Sequence, residues 1–442
     1  MTERDDHARY SRALAADSTP AAFVDLDGFE HNLRVVFGEE SGPVIGGMNP
    51  PAGAIASLNA SGPVIGGMNP PAGAIASLNA SGGKPLRIAS KSVRSIPLLE
   101  RIQRHAPGRI TGLMAYSAKE AAFLVERGFS DVLLAYPTLH GPDLELLARK
   151  NREGAKISLV VDAPEHVEAA AKASARVEGA LPLVIELDLS LRPLGGDLAI
   201  GALRSPLHHS AAVVELARRI ADTPRLSFHG LMAYEAHVAG MTDQGSGSRA
   251  MDTAKWLLKR ASRRPLEEAR AEAVHALTQA GLPPLLVNGG GTGSLRWCQS
   301  EAALTELTVG SAFLAGHLFD GYRELSFRPA LHFALEVVRS PRPGVCTVRG
   351  GGFIASGESG PSRAPVPVLP SGLRLTKIEG AGEVQTPLVA ERGSAPSLGS
   401  LVFFRPAKSG ELAERFEEYA LIRGDRVEER VRTYRGEGRC FP

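Results

Sequence analysis

Between Leu86 and Val309 the chain separates eight short apolar or β-branched runs by longer stretches of helical periodicity. That alternation restricts the fold to βα units around a parallel sheet. The runs are Leu86 to Ser90, Thr111 to Ala115, Val132 to Tyr136, Ile157 to Asp162, Leu183 to Asp188, Phe228 to Tyr234, Pro284 to Asn288 and Thr305 to Val309, with helical patterns such as Ala118 to Arg127 and Ala211 to Ile220 between them. Eight strands are the count that closes a (β/α)8 barrel. Beyond Arg328 the pattern changes to short strands broken by Gly and Pro: Cys346 to Phe353, Leu373 to Ile378 and Leu401 to Phe404, with Pro365 to Pro370 and Gly393 to Ser400 read as loops. Ala22 to Leu26 is an apolar run with no evident partner in the barrel and is expected to join this later sheet. The predicted fold is therefore α/β, a (β/α)8 barrel with a C-terminal β-rich domain that also takes the N-terminal strand. Its divisions are residues 1–38, an insertion at 39–83, the barrel at 84–328 and the β-domain at 329–442.

The insertion contains a perfect tandem repeat, SGPVIGGMNPPAGAIASLNA, at Ser41 to Ala60 and again at Ser61 to Ala80, with no charge from Ser41 to Gly83. Solenoid repeats need several units with a periodic apolar pattern. A pair rich in Gly, Pro and Ala predicts a mobile surface insertion instead. Its Pro-Pro pairs and its Asn and Ser residues also break any apolar helix of about 20 residues, so it is not read as a membrane span.

Charge is balanced, 50 Lys and Arg against 48 Asp and Glu, with no block of one sign. This gives no field for nucleic acid or an anionic membrane, which leaves small molecules as the expected partners. Met1 to Tyr10 is dense in charge and is not followed by an apolar signal run, so the expected location is cytoplasmic. Cys298, Cys346 and Cys440 lie far apart and form no CxxC spacing, so they are read as reduced thiols.

In such barrels the working groups gather at the C-terminal ends of the strands, and phosphate commonly sits on the loops after the seventh and eighth. The loop after the seventh strand carries Gly289, Gly290, Gly291, Thr292, Gly293 and Ser294. Its glycines let backbone N–H groups converge on an anion, and its hydroxyls add donors. Gly310 and Ser311 after the eighth strand form a second donor-rich turn; the competing reading of both is a pair of tight turns. Lys91 ends the first strand and is expected to emerge on the same face. A lysine that forms an imine must be neutral when it attacks; desolvation and nearby positive charge, with Arg192 a candidate source, would depress its pKa. Without the phosphate loops it would read as a solvated surface residue. His237, three residues after Tyr234, is either a base or a hydrogen-bonded loop residue. Glu235 is expected to point away from Tyr234 in a structural role, and the adjacent His208 and His209 to face different ways. Tyr434, Arg435 and Glu437 either reach the cleft or form a surface hairpin.

These residues, taken in order, resemble the fold-type III pyridoxal phosphate enzymes, the superfamily of alanine racemase, D-threonine aldolase and D-serine dehydratase, and among them the bacterial amino acid deaminase/aldolase branch. The resemblance spans nearly the whole chain and rests on Phe23 to Asp27, Ala89 to Arg94, Gly230 to Ala236, Asn288 to Ser294, Gly350 to Gly357 and Thr433 to Gly438. It implies pyridoxal 5'-phosphate as cofactor, held as an aldimine by Lys91. It places the phosphate on Gly290, Gly291, Thr292, Gly293, Ser294, Gly310 and Ser311, Arg192 near the cofactor ring, and Tyr234, with Tyr116 less strongly, along the pocket. It also implies a homodimer in which one subunit completes the other's site.

The chain departs from the family at one point. D-threonine aldolases and D-serine dehydratases hold a metal in the C-terminal domain with a histidine and a following Cys or Asp. This chain has no histidine after His332, and the corresponding segment, Phe403 to Glu411, offers Pro406 and Lys408. No metal is expected, and Lys408 or Glu411 becomes a candidate for polarising a substrate group. The predicted function is a pyridoxal phosphate-dependent lyase, aldolase or deaminase/dehydratase, for a β-hydroxy D-amino acid, with Lys91, Tyr234 and His237 as catalytic groups. Alternatives are an amino acid racemase, a non-catalytic pyridoxal phosphate carrier, against which the β-domain argues, and a Schiff-base aldolase for phosphosugars. Deleting Ser61 to Ala80 is expected to leave soluble, active protein, measured by yield and turnover; total loss of soluble protein would make the second copy part of the folded scaffold.

Overall fold

The computed structural model describes residues 3–39, 83–192, 200–245, 247–357 and 360–441, so the tandem repeat lies outside the described residues. The chain opens with α1 (Glu3–Ala13), β1 (Ala21–Asp25) and α2 (Leu26–Phe37). Asp25 caps α2, its carboxylate accepting the N–H groups of Asp27 and Gly28 at 3.0 and 3.3 Å. Eight parallel strands then close a barrel: β2 (Leu86–Ala89), β3 (Ile110–Ala115), β4 (Asp131–Leu134), β5 (Lys156–Val161), β6 (Leu181–Glu186), β7 (Leu226–Met232), β8 (Leu286–Gly289) and β9 (Glu306–Val309). β9 pairs back onto β2, with Leu86 opposite Leu307. Each predicted run overlaps one of these strands to within two residues at either end.

Around them lie α3 (Ile96–His105), α4 (Ala118–Glu126), α5 (Gly141–Arg152), α6 (Pro164–Val177) and α7 (Ser210–Ala221), then the short α8 (Ala236–Ala239), the 31-residue α9 (Arg249–Gln279) and the short α10 (Leu295–Cys298). Prolines stand in the first turn of α3, α5 and α6, where the missing N–H has no intrahelical partner to lose. Among the described residues no helix is long and apolar enough to cross a membrane.

The barrel is filled in two ways. On and just after strands β4 to β8, Leu133, Ala135, Val160, Val184, Met232 and Leu286 form an apolar cluster. Elsewhere inside, a polar network replaces apolar packing. Arg87 donates to Glu306 at 2.5 Å and to Asp131 at 2.8 Å, while Glu306 also accepts from Thr111 at 2.6 Å and from Asn288 at 2.7 Å. Arg87 is buried to 3% exposure, so its charge is tolerable only with these partners.

The last hundred residues build a sheet with the order β13-β14-β11-β10-β1-β16-β17, with β15 between β10 and β12. The strands are β10 (Leu331–Arg342), β11 (Val345–Arg349), β12 (Val366–Leu369), β13 (Leu373–Leu375), β14 (Gln385–Ala390), β15 (Leu401–Arg405), β16 (Glu418–Arg423) and β17 (Arg426–Arg432). β1 inserts centrally, antiparallel to β10 and parallel to β16, as expected for the N-terminal strand. One expectation fails here: Pro365 to Pro370 contains β12. Among the described residues that strand pairs only with β15, so it is an edge, where a proline can lack an N–H without breaking a ladder on both sides.

The sheet docks on the barrel mouth through Arg405, which donates to Asp320 at 2.6 and 2.8 Å and to the Ala315 carbonyl at 3.1 Å. Its core holds His332 at 5% exposure, directly opposite Phe23 across β1 and β10 and stacked on that ring with centroids 5.2 Å apart. Burial holds the imidazole neutral, lowering its pKa from 6.5 to about 3. The unfolded chain takes up a proton near pH 6.5 and the folded chain only near 3, so acidification through that window removes stability, by up to about 1.4 kcal/mol per pH unit. His332→Phe is therefore expected to flatten the loss of denaturant midpoint with falling pH across that window; parallel slopes for both proteins would exclude His332 as the responsible group.

Candidate active site

The first barrel strand ends at Ala89 and the chain turns through one 3-10 turn, Ser90–Ser92, instead of continuing extended. Both flanking hydroxyls are anchored: Ser90 Oγ donates to the Met114 carbonyl at 2.8 Å, and Ser92 Oγ shares a hydrogen bond with Ser311 Oγ at 3.1 Å. Lys91 between them is left projecting into a cavity of about 970 Å³ at the C-terminal mouth of the barrel. Its Nζ donates to the Tyr136 hydroxyl at 2.7 Å and stands 5.4 Å from that ring's centroid. Arg94, in the left-handed region at φ 49°, folds back to donate to the Lys91 carbonyl at 3.2 Å and pairs with Glu414 of the β-domain.

The β-domain completes this turn. Ser409 Oγ donates to the Ser92 carbonyl at 2.7 Å, and at Gly410 a Cβ would lie 1.7 Å from the Lys91 carbonyl oxygen, so only glycine permits the approach. Lys408, Ser409, Gly410 and Glu411 thereby become one wall of the cavity. Lys408 Nζ donates to Ser356 at its carbonyl (2.8 Å) and hydroxyl (3.2 Å), and Glu411 accepts the Ser356 N–H at 2.8 Å. Partial burial lowers the Lys408 pKa, opposed by Glu411.

The two glycine turns form another part of the wall. Gly290, Gly291, Thr292, Gly310 and Ser311 line the cavity, and the amide N–H groups of Thr292, Gly310 and Ser311 donate to no group among the described residues. Such a set of converging free donors suits a phosphate. The turns are also closely fitted: a Cβ at Gly291 would lie 3.0 Å from Ala239 and 3.1 Å from Tyr234, and at Gly310 it would lie 2.9 Å from Ala89 and from Ser92 Oγ. Gly293 and Ser294 stand behind the surface. The Ser294 hydroxyl and the Gly290 N–H are both turned to the buried Glu235 carboxylate, which Arg270 neutralises. That makes Glu235 the structural group expected of it.

Tyr234 lines the cavity with its hydroxyl pKa raised by burial and by Glu235, so it remains protonated. His237 also reaches the wall, 5% exposed, and neither ring nitrogen has a hydrogen-bond partner among the described residues. Burial lowers its pKa against the pull of Glu235 and Asp188, so the ring is a neutral acceptor at neutral pH. Beside it Glu186 is pushed up to about 7 by burial, opposed by Arg204.

Arg192 is not brought to this cavity; it pairs with Asp188 at 3.1 Å, and Arg204, 5.6 Å above the Tyr234 ring, lines the wall in its place. Tyr434 is buried against Glu120, Glu437 pairs with Arg127, and Tyr116 carries Arg94 over its ring; none lines the cavity. His208 and His209 do not face apart: their rings lie 4.5 Å from each other, exposed, away from the cavity. Sequence reasoning missed Tyr136, Arg204 and Arg363. Tyr136 alone had a signal, since it closes a predicted barrel strand as Lys91 does.

Pyridoxal phosphate fits what is present: an accessible lysine amine, a cavity of sufficient size, and glycine turns with free donors that a Cβ would crowd. A divalent cation on the β-domain wall does not fit. Pro406 has no donor side chain and its carbonyl accepts the His317 N–H at 3.0 Å, and Lys408 brings a positive charge. Among the described residues no three His, Cys, Asp or Glu side chains gather at one point.

Residues 75–316 match the family model of the alanine racemase N-terminal domain. The chain is 27% identical over 270 residues to a 3-hydroxy-D-aspartate aldolase of Paracoccus denitrificans, an alignment covering 59% of this chain and 64% of that protein's length. It is 26% identical over 301 residues to a D-threonine aldolase of Arthrobacter sp., covering 67% and 71%. The crystal structure of a D-threonine aldolase from Filomicrobium marinum superposes with a TM-score of 0.71 at 21% identity over 95% of each chain. If the glycine turns hold the cofactor's phosphate, Gly310→Ala is expected to weaken pyridoxal phosphate retention at least roughly tenfold, about 1.4 kcal/mol, in titrations followed by visible absorbance. An unchanged affinity would remove that turn from the cofactor site.

Proposed function

We propose that this chain, which belongs to the family defined by the alanine racemase N-terminal domain, is a pyridoxal phosphate-dependent lyase acting on a β-hydroxy D-amino acid. The observation that carries the reading is Lys91: its amine enters the cavity bonded to a tyrosine hydroxyl, with no carboxylate pairing it among the described residues. An amine free of an ion pair can lose its proton and bind a carbonyl carbon. Similarity to aldolases of hydroxylated D-amino acids supports the substrate class.

Lys91 Nζ would hold the cofactor covalently, and the Thr292, Gly310 and Ser311 amides would bind its phosphate. When bound, the cofactor supplies an electron sink for the pair released as a bond to Cα breaks. The remaining steps belong to the chain. Lys91 Nζ stands beside Tyr136, whose hydroxyl keeps the amine oriented by accepting its hydrogen bond. His237, held neutral and without another partner, can take the proton of the substrate's β-hydroxyl. Tyr234, held protonated, can donate but not accept a proton at this wall. The β-domain wall from Lys408 to Glu411 borders the mouth beside Lys91.

The reading includes a homodimer, as the family resemblance implies; sedimentation would measure the assembly. The decisive experiment incubates the holoenzyme and Lys91→Ala with a panel of D- and L-amino acids and identifies products by chromatography. Aldehyde, or ammonia with a keto acid, is expected from a β-hydroxy D-amino acid with the wild type and nothing from the variant. Inversion of alanine without either product would move the assignment to racemase, and bound cofactor with no turnover of any compound would leave a carrier.

A further inference from the structure

The cavity is rimmed by cations. Lys91, Arg94, Arg204, Lys255, Arg363 and Lys408 all line it, against one carboxylate, Glu411, which is engaged by the Ser356 N–H. Three of the cations have evident work elsewhere: Lys91 as the covalent attachment, Arg94 paired with Glu414, and Arg204 over Tyr234. Lys408 differs. It stands on the wall that touches the Lys91 turn, through Gly410 against the Lys91 carbonyl and the Ser409 hydroxyl on the Ser92 carbonyl. Its two hydrogen bonds go to neutral oxygens of a single residue, Ser356, which orient the ammonium without cancelling its charge. An ammonium has three N–H donors, so one remains for a ligand.

We propose that Lys408 is a positioning and charge-stabilising group for the substrate's β-oxygen, doing in this chain what a divalent cation on the same wall would do, so that the reaction is metal-independent. The inference rests on the lyase reading above. Whether the β-oxygen loses its proton to His237 as the Cα–Cβ bond breaks or departs from Cβ, it gains negative charge. A cation fixed beside that oxygen stabilises the developing charge more than it stabilises the neutral hydroxyl. The chemistry of the wall points the same way: Pro406 offers no ligand, and a lysine two positions on would repel a second cation.

Three measurements on the full-length holoenzyme test this. First, wild type exhaustively treated with a chelator is expected to hold well below one metal ion per chain by elemental analysis and to keep its turnover. Second, Lys408→Met is expected to lose roughly 10²- to 10³-fold in kcat with little change in KM, with the visible cofactor spectrum unchanged, and Lys408→Arg to recover part of that loss. Third, Pro406→His with Lys408→Cys is expected to take up one equivalent of Co2+, read from its absorption bands, where the wild type takes none. Stoichiometric metal in the wild type, loss of turnover on chelation, or a Lys408→Met enzyme within twofold of wild type would each overturn the proposal. Absence of lyase turnover from untreated wild type would instead overturn the function on which it rests, while the Co2+ comparison would still decide whether this wall excludes metal.

Discussion

Glu235 and Arg270 form an ion pair with both side chains at 0% exposure beneath the barrel mouth, and the positions of the working groups depend on it. Two charges in such a place cost several kcal/mol to desolvate unless every lone pair and proton finds a partner. Here they do so by tying separate segments together. Arg270 comes from α9 and also donates to the Ala233 carbonyl at 3.0 Å, while Glu235 holds the Gly290 amide and the Ser294 hydroxyl of the turn after β8. The end of one strand and the loop after the next are thereby fixed to each other. Tyr234 and His237, one residue before and two after the carboxylate, are carried to the cavity wall as a result. Such a pair contributes less to net stability than to setting one arrangement among several compact ones.

The barrel was legible because each strand is a compact apolar or β-branched run whose neighbours are helical in period. The β-domain was harder. Val366–Leu369 lies between Pro365 and Pro370 and itself contains Pro367, a composition that reads as a loop unless the strand is known to be an edge. Leu331–Arg342 is buried in its first half and exposed in its second, so neither period-two alternation nor a continuous apolar run marks its length. In the site, Lys91, Tyr234, His237 and the glycine turns could be found because they sit at strand ends. Arg204 and Arg363 lie in irregular segments, where sequence position carries little about direction, and the same holds for Arg192, which pairs with Asp188. Glu235 was read as structural from strand alternation alone, but its partner Arg270, 35 residues later on a helix, had no signal.

The polar network inside the barrel links these two halves of the account. Asn288, at the last turn of β8, donates to Glu306 at 2.7 Å and to Thr308 at 2.9 Å, and both Asn288 and Thr308 also line the cavity. The floor of the site is thus continuous with the buried Arg87 cluster as well as with the apolar cluster, whose Ala135 and Met232 also line the cavity. A floor held by charge-assisted bonds resists the small rotations that an apolar layer permits, which suits a site whose reacting bond must be held in a fixed orientation to the cofactor plane.

The central place of β1 in the distal sheet also governs how the molecule can be made. A strand from residues 21–25 has neighbours at 331–342 and at 418–423, so its two hydrogen-bonding edges are satisfied only by segments more than 300 residues later. During synthesis the barrel can close around its own local βα contacts while the N-terminal strand waits, exposed along both edges, until residues 331–342 and 418–423 have emerged. The wall that faces Lys91 is laid down in that same final stage. Assembly of the nascent chain therefore delays the finished pocket until residues 401–423 have emerged, and a product that stops before them would carry the lysine and the glycine turns in a barrel without that wall.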